Sequence, residues 1–161
     1  MLIIIEGCDG TGKTTLANML KPLLGAEIVH CTTQTPNTYG FFNNIIYAAQ
    51  KKHIIVDRFC YSQFVYQEEE DRPLALHEIY PLDGDRRFVE NSYESLARLE
   101  IDMLQADTKL IYVSADTETI HRRLSARDSE IPLDNFTIED IKAKYEDLWK
   151  RTLIQPIRYV T

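Results

Sequence analysis

Short apolar runs rich in β-branched residues recur along the chain, and polar or turn-forming residues follow each of them. The first run, residues 2–5, lacks strict alternation of apolar and polar positions, which is typical of a strand that is buried on both faces of a sheet. The pattern predicts strands at residues 2–5, 27–31, 53–57, 109–114 and 156–161.

Between these strands, apolar residues recur at the spacing of a helix. This spacing predicts helices at residues 13–24, 39–52, 88–106 and 137–153. A further helix is expected after the fourth strand, where Asp116 or Thr117 can cap it. Alternating strands and helices predict an α/β fold, namely a doubly wound parallel sheet with helices on both faces and ligands at the carboxyl ends of the strands.

Two of the predicted helices carry a recognisable inward stripe of apolar residues. In the first helix the apolar residues with helical spacing include Met19 and Leu23. In the helix at residues 88–106, the charged Arg98 and Glu100 are expected to lie off the stripe. That stripe consists of Tyr93, Leu96, Leu99 and Met103.

A glycine-rich turn follows the first strand and matches the pattern G-x-x-x-x-G-K-[ST] at Gly7, Gly12, Lys13 and Thr14. Glycines allow the main chain to turn its N–H groups towards an anion, and the helix that begins next directs its positive dipole end at the same point. The pattern predicts a phosphate loop, that is, a P-loop or Walker A motif, for a nucleoside triphosphate. The residues that we expect to hold the nucleotide are Gly7, Asp9, Gly10, Thr11, Gly12, Lys13, Thr14 and Thr15.

The motif also indicates the cofactors, which are ATP and Mg²⁺. Lys13 is expected to reach the β and γ phosphates, and Thr14 to offer its hydroxyl to the metal. Asp57 ends the third strand, where phosphate-loop proteins place the carboxylate that holds the Mg²⁺ shell. The alternative for Asp57 is a cap on the following helix.

Composition excludes some classes of protein. A chain of 161 residues with no long apolar run predicts one domain, residues 1–161, without a membrane span, in the cytoplasm or, for a viral protein, the host cytoplasm. The net charge of −7 opposes a general nucleic-acid coat but leaves room for a local basic cleft. Three widely spaced cysteines predict no disulfide frame, and we hypothesise that oxidation of Cys8, inside the loop, would weaken nucleotide binding.

The stretch DRFCYSQFVYQ, residues 57–67, follows the third strand. Together with EGCDGTGKTT near the N-terminus, it resembles the D-R-[YFH]-x-x-S-x-x-[AV]-Y-Q signature of thymidylate kinases and their phage-type relatives. The order of elements is similar over nearly the whole chain. The resemblance implies a phosphate-loop kinase fold with a five-stranded parallel sheet, which transfers the γ-phosphoryl group of ATP to dTMP.

The resemblance also implies roles for individual residues. Asp9 would contact the sugar 3′-hydroxyl, and Arg58 would steady the phosphates between donor and acceptor. An arginine suits bidentate phosphate contacts, and an aromatic ring beside an amide suits a pyrimidine base. Alternatively, Tyr66 and Phe64 form only the core face of a helix. The residues that would line the base pocket are Gln63, Tyr66 and Gln67.

Arginines are concentrated on the outer side of the helix after the fourth strand, at Arg122, Arg123 and Arg127. In related kinases this region, here about residues 115–137, is a lid whose arginines close on the phosphates. Charge spreads over the γ-phosphoryl oxygens in a loose transition state, and a guanidinium on a mobile element can neutralise it. The resemblance thus makes Arg123 and Arg127 catalytic candidates, and the alternative is a solvated helix face.

Two family features are missing from the sequence. Thymidylate kinases carry R-E-P-G after the second strand and an arginine in the next helix, but here the chain has TTQTP and FFNNIIYAAQ, with no arginine between Lys21 and Arg58. The usual clamp on the acceptor phosphate is therefore absent or supplied from elsewhere. The candidates to replace it are Arg72, Arg86 and Arg87.

Three functions follow, and they differ in the acceptor. The first is a kinase for a deoxypyrimidine nucleotide, dTMP or a modified relative. The second phosphorylates a hydroxyl of a nucleoside or of a hydroxymethylated pyrimidine in DNA, and it needs a general base such as Asp57, Asp9 or Glu6. The third is an ATPase or switch, which the residues 57–67 disfavour because a switch has no use for a base pocket. The sequence is compatible with a homodimer and does not decide the oligomeric state.

Overall fold

A computed structural model describes residues 1–32, 35, 39–66, 93–126 and 135–161 of the chain. Five strands form one parallel sheet in the order β2-β3-β1-β4-β5, so the predicted five-stranded parallel sheet is confirmed. The strands are β1 (Leu2–Glu6), β2 (Glu27–His30), β3 (Ile54–Asp57), β4 (Thr108–Ser114) and β5 (Ile157–Val160).

Five of the six helices in the described residues lie in the intervals where the sequence pattern predicts them, whereas α3 was considered only as an alternative for Phe64 and Tyr66. Residues 88–92 of the predicted third helix lie outside the described residues. Asp116 caps its helix as expected, since its side chain accepts a hydrogen bond from the Thr119 N–H. The helices are α1 (Lys13–Leu24), α2 (Tyr39–Ala49), α3 (Cys60–Tyr66), α4 (Tyr93–Gln105), α5 (Thr117–Ser125) and α6 (Asn135–Trp149).

The sheet separates two cores of unequal size. Leu2 and Ile4 of β1 face the larger core, to which α2, α3, α4, α5 and α6 all contribute buried residues. Ile3 and Ile5 face the smaller core, where α1 packs through Ala17. β1 is buried on both faces because it is the central strand, and each fully buried isoleucine side chain contributes about 2 kcal/mol.

The inward stripe predicted for α1 is partly wrong. Met19 and Leu23 are 60% and 78% exposed, whereas Ala17 is fully buried. α1 lies over β1, β2 and β3, so only the side of the helix that faces these strands is covered. Leu16, Leu20 and Leu24 are partly buried against the same core, so the helical spacing identified some of the residues that pack and not others.

The prediction for α4 is wrong at two positions. Tyr93 is 40% exposed, and Glu100, expected off the stripe, is 1% exposed. The position of Glu100, four residues after Leu96, places it on the buried side of the helix whatever its charge. The Glu100 carboxyl is satisfied there by the Tyr61 hydroxyl at 2.9 Å and the Leu153 N–H at 2.7 Å.

The carboxyl ends of β1, β3 and β4 meet at one edge of the parallel sheet. The phosphate loop leaves β1 at this edge, and Arg58 follows β3 there. Among the described residues, no helix is long and apolar enough to cross a membrane. The site predicted from the sequence is therefore assembled at the edge where such sheets bind ligands.

Candidate active site

The phosphate loop, residues 7–14, is shaped by its neighbours as well as by its glycines. Gly7 has φ of +143°, and a Cβ atom there would lie 2.2 Å from the Val113 carbonyl oxygen of β4. Gly10 has φ of +80°, and a Cβ atom would lie 3.1 Å from the Leu124 side chain of α5. Other residues would therefore be strained at both positions and would also push the loop away from β4 and α5.

Lys13 lies inside the loop and is only 6% exposed. Its Nζ donates to the Cys8 carbonyl at 2.8 Å and lies 4.0 Å from Oδ1 of Asp9. Burial, together with the positive charge of Arg58, lowers the pKa of Lys13 to about 8. α1 begins directly after Gly12 with no side-chain cap, so the loop offers an ammonium group and uncapped helix N–H groups at the same place.

Thr14 and Asp57 meet as the sequence predicts for metal ligands. The Thr14 hydroxyl donates to Oδ2 of Asp57 at 2.6 Å, and Nδ1 of His30 lies 3.2 Å from the same oxygen. A hydroxyl and a carboxylate are the hard oxygen donors that Mg²⁺ prefers. Two protein oxygens suit a metal ion that phosphate and water also coordinate. Among the described residues, no group of three or more His, Cys, Asp and Glu side chains could hold a metal ion.

The alternative for Asp57, a cap on the next helix, is wrong. At the start of α3, the Phe59 N–H donates to Oε1 of Glu6 at 2.7 Å, and the Ser62 N–H donates to the same atom at 3.3 Å. Glu6 thus caps this helix from β1. The Asp57 side chain is directed to Thr14 and His30 instead.

Arg58 follows β3, lies beside the phosphate loop and has an unusual backbone conformation. Its φ of +70° is left-handed, which costs a non-glycine residue about 1–2 kcal/mol. The guanidinium pairs with the Asp9 carboxylate and lies 4.8 Å from the centre of the Tyr66 ring. The structure therefore brings together Asp9, Arg58 and Tyr66, three of the residues singled out in the sequence.

The predicted base-pocket residues are placed unequally. The Tyr66 ring lies against Arg58 and is 37% exposed, so it is more than a residue of the helix core, whereas Phe64 is 7% exposed. Gln63 is partly buried on α3. Gln67 lies outside the described residues, as do Arg72, Arg86 and Arg87.

A first cavity, of about 160 Å³, opens beside the loop. Three of its lining residues, His30, Cys31 and Thr32, end or follow β2 and were not predicted from the sequence. The carboxyl ends of parallel strands lie at the same edge, so the position of His30 at the end of β2 was the available signal. The cavity is lined by Asp9, Gly10, Gly12, Lys13, Thr14, His30, Cys31, Thr32, Asp57 and Arg58.

A second cavity, of about 320 Å³, opens on another side of the loop, beside Arg123. The sequence placed Arg123 on the outer side of its helix, but its Nη1 donates to the Thr161 hydroxyl at 2.8 Å and to the Gly10 carbonyl at 3.3 Å. Arg122 is exposed, and Arg127 lies outside the described residues. The cavity is lined by Gly10, Gly12, Thr15, Leu16, Met19, Arg123, Tyr159 and Thr161.

Glu6, one of the three candidate bases, is fully enclosed behind the site. Besides the N–H groups of Phe59 and Ser62, its carboxyl accepts from the Ser62 hydroxyl at 2.6 Å and the Tyr145 hydroxyl at 3.0 Å. Burial raises the pKa of Glu6, although the hydrogen bonds oppose this shift. A fully enclosed carboxyl cannot reach a substrate hydroxyl, so Glu6 is not a general base.

The three cysteines are free and buried. Cys8 is 1% exposed, and burial, helped by the negative charge of Asp9, raises the pKa of its thiol. A thiolate is the form that oxidants attack. Both features slow the oxidation of Cys8, and the hypothesis that its oxidation would weaken nucleotide binding stays a prediction.

Comparison with known proteins places this geometry in a family. The chain is 31% identical over 143 residues to a probable thymidylate kinase of Thermoplasma acidophilum, covering 79% of this chain and 72% of that protein. It is 27% identical over 155 residues to the SPbeta prophage-derived protein YorR of Bacillus subtilis, covering 91% of this chain and 81% of that protein. No family model matches the sequence.

Solved structures show the same fold. The YorR protein of B. subtilis, crystallised with phosphorylated GDP, superposes with a TM-score of 0.69 at 22% identity, over 100% of this chain and 85% of that chain. Deoxyadenosine kinase from M. mycoides with bound dCTP gives a TM-score of 0.56 at 17% identity, over 100% of this chain and 89% of that chain. The chain belongs to the thymidylate kinase family and is a phosphotransferase with the phosphate-loop fold of the nucleoside and nucleotide kinases.

Proposed function

We propose that the protein transfers the γ-phosphoryl group of ATP, in the presence of Mg²⁺, to a deoxypyrimidine nucleotide, dTMP or a modified relative, and so forms the diphosphate. The observation that carries this proposal is the position of Arg58 and Asp9 at the tip of the loop that contains Lys13. A cation between two phosphate-binding elements is what transfer from one phosphate to another requires.

On the donor side, the loop N–H groups and Lys13 bind the triphosphate. The second cavity is large enough to receive the nucleoside of ATP, with the Tyr159 ring and the Arg123 guanidinium available to its base. Thr14 and Asp57 would hold Mg²⁺, which would supply positive charge beside the transferred phosphoryl group.

On the acceptor side, the first cavity receives the phosphate and sugar of the nucleotide. Arg58 contacts the acceptor phosphate, Asp9 the 3′-hydroxyl, and Tyr66, Gln63 and Gln67 the base. An acceptor phosphate is already an anion, so no strong general base is needed. Arg123 and Arg127, in a lid at about residues 115–137, supply further positive charge to the transferred group.

The relatives support a nucleotide or nucleoside acceptor without fixing the base. The T. acidophilum relative is a probable thymidylate kinase. The structural neighbours include a deoxyadenosine kinase from M. mycoides with bound dCTP and a YorR complex with phosphorylated GDP. Purine and pyrimidine acceptors therefore both belong in the experiment.

A second candidate is transfer to a hydroxyl, of a nucleoside or of a hydroxymethylated pyrimidine in DNA. It is favoured by the pairing of His30 with Asp57 in the first cavity, because a hydroxyl acceptor needs a base to remove its proton. Among the described residues that line this cavity, Arg58 is the one arginine, so the family's additional clamp on an acceptor phosphate is not found there.

One experiment separates these candidates. The protein is incubated with Mg²⁺ and γ-labelled ATP against deoxynucleoside monophosphates, nucleosides, and DNA with normal or hydroxymethylated pyrimidines. Label in dTDP or a related diphosphate supports the main proposal, and label only in nucleoside or DNA supports the second. Release of phosphate without a labelled acceptor contradicts both, and the Lys13→Ala variant is the control for contaminating kinases.

A further inference from the structure

The turn that carries Arg58 is held from the central strand. The Arg58 N–H donates to the Ile5 carbonyl at 3.0 Å, and the next N–H, of Phe59, donates to Oε1 of Glu6 at 2.7 Å. The last two residues of β1 thus fix the two amides around the left-handed Arg58. A backbone conformation of this kind persists only where its surroundings impose it.

The same carboxyl group reaches the phosphate loop through a tyrosine. The Tyr145 hydroxyl donates to Oε2 of Glu6 at 3.0 Å and lies 3.4 Å from the carbonyl oxygen of Gly7, the first residue of the loop. Ser62, the serine of the family signature, donates to Oε2 at 2.6 Å. One enclosed carboxyl group therefore joins β1, α3 and α6 directly behind the two elements that bind phosphate.

We propose that Glu6 is a positioning residue for phosphoryl transfer, which fixes the distance between Arg58 and the phosphate loop. This inference rests on the proposed function for its kinetic consequence. Arg58 must lie where the donor and acceptor phosphates meet, and a displacement of about 1 Å in such a site costs about 10²-fold in rate. The Ser62 and Tyr145 hydroxyls are part of the same frame, since they hold the second oxygen of the carboxyl group.

The chain contains a matched control. Glu100 is also buried and also accepts from a tyrosine hydroxyl and two backbone N–H groups, those of Leu153 and Ile154. It lies on α4 and joins that helix to Tyr61 of α3 and to the segment after α6, and these partners do not belong to the phosphate loop. A loss of folding stability alone should appear in variants of either glutamate, and a loss of transfer only in variants of Glu6.

The test compares Glu6→Gln with Glu100→Gln, each with and without Arg58→Ala. Glutamine keeps the size of the side chain and an oxygen for the Phe59 N–H, but it places an NH₂ group where Glu6 accepts from two hydroxyls. Glu6→Gln should lower kcat for the acceptor by about 10–100-fold and leave the Kd of ATP within about twofold, whereas Glu100→Gln should change neither.

In the Arg58→Ala background, Glu6→Gln should have little further effect, because the two changes remove the same interaction. An equal loss of kcat in both backgrounds, or no loss in Glu6→Gln, overturns the proposal. Tyr145→Phe, which removes one hydroxyl and keeps the carboxyl group, should lower kcat by a few fold and enters the same cycle if Glu6→Gln does not fold.

A second readout does not depend on activity. The ¹⁵Nε–H signal of Arg58, assigned by its loss in Arg58→Lys, should shift or broaden in Glu6→Gln and Tyr145→Phe and stay unchanged in Glu100→Gln. An unmoved signal overturns the positioning role. If the wild-type protein labels no acceptor, the proposed function fails, and this signal still decides whether Glu6 places Arg58.

Discussion

Glu6 and Glu100 are the two glutamates that the described part of the structure encloses almost completely, and the regions around them differ in purpose. Around Glu100, α4 is joined to Tyr61 of α3 and to the turn after α6. Around Glu6, the same kinds of partners join the elements that carry the phosphate loop and Arg58. Burial of a carboxyl group therefore does not reveal its purpose, which depends on what its partners hold in place.

The largest expected difference is between an arginine in the Glu6 region and an arginine in the Glu100 region. Arg58→Ala should lower phosphoryl transfer by about 10³-fold, because it removes a cation from the developing charge. Arg98→Ala, which breaks an exposed pair with Glu94 on the helix of Glu100, should leave transfer unchanged. Steady-state kinetics of both variants check this, and comparable losses would show that the two regions do not differ as described.

The tyrosine that donates to Glu100 allows the comparison to be tested through stability. Tyr61→Phe removes the hydroxyl that donates to Glu100 and should lower the free energy of unfolding by about 1–2 kcal/mol without changing kcat. Chemical denaturation and kinetics on the same sample measure both. A lowered kcat in Tyr61→Phe would mean that the Glu100 region also acts on the site.

The pH dependence of stability should separate Glu100 from ordinary carboxylates. Burial raises the pKa of Glu100 above the usual value of 4.5, so the folded state holds its proton to higher pH than the unfolded state does. This contribution to stability is present below pH 4.5 and is lost as pH rises through the raised folded pKa.

As pH rises from about 4 to about 7, Glu100→Gln should therefore lose less unfolding free energy than the wild type does. Urea denaturation of both proteins at several pH values measures the difference. Parallel profiles for the two proteins would contradict a raised pKa at Glu100.

The smallest expected effect is at an exposed glutamate. Glu146 on α6 forms two hydrogen bonds with Arg158, at 2.6 Å and 2.7 Å, but both side chains face solvent. Glu146→Gln should change the free energy of unfolding by about 0.5 kcal/mol or less, since water and salt weaken such pairs. Thermal denaturation at low and high salt checks this, and a loss as large as that of Tyr61→Phe would remove the distinction between buried and exposed carboxylates.

Much of the fold could be predicted from the sequence because the decisive signals are local. The loop from Gly7 to Thr14 has a fixed spacing, and the strands are continuous apolar runs. The position of Asp57 beside the phosphate loop could be predicted because it ends a strand at a known edge of the sheet. These features need no knowledge of which side chains meet across the fold.

The remaining features depend on contacts between distant parts of the chain. Glu100 was assigned to the surface because of its charge, and its partners at Tyr61 and Leu153 are far away in the sequence. The inward direction of Arg123 depends on the position of β5 beside the loop, and that of His30 on the pairing of β2 with β3. Sequence spacing alone carries none of this information.

The phosphate loop leaves the middle strand of the sheet, with β3 on one side and β4 on the other. Amides of a central buried strand exchange with solvent only when the whole domain opens. Protection of Ile4 and Ile5 from hydrogen exchange should therefore match the global free energy of unfolding, and thermal inactivation should coincide with melting.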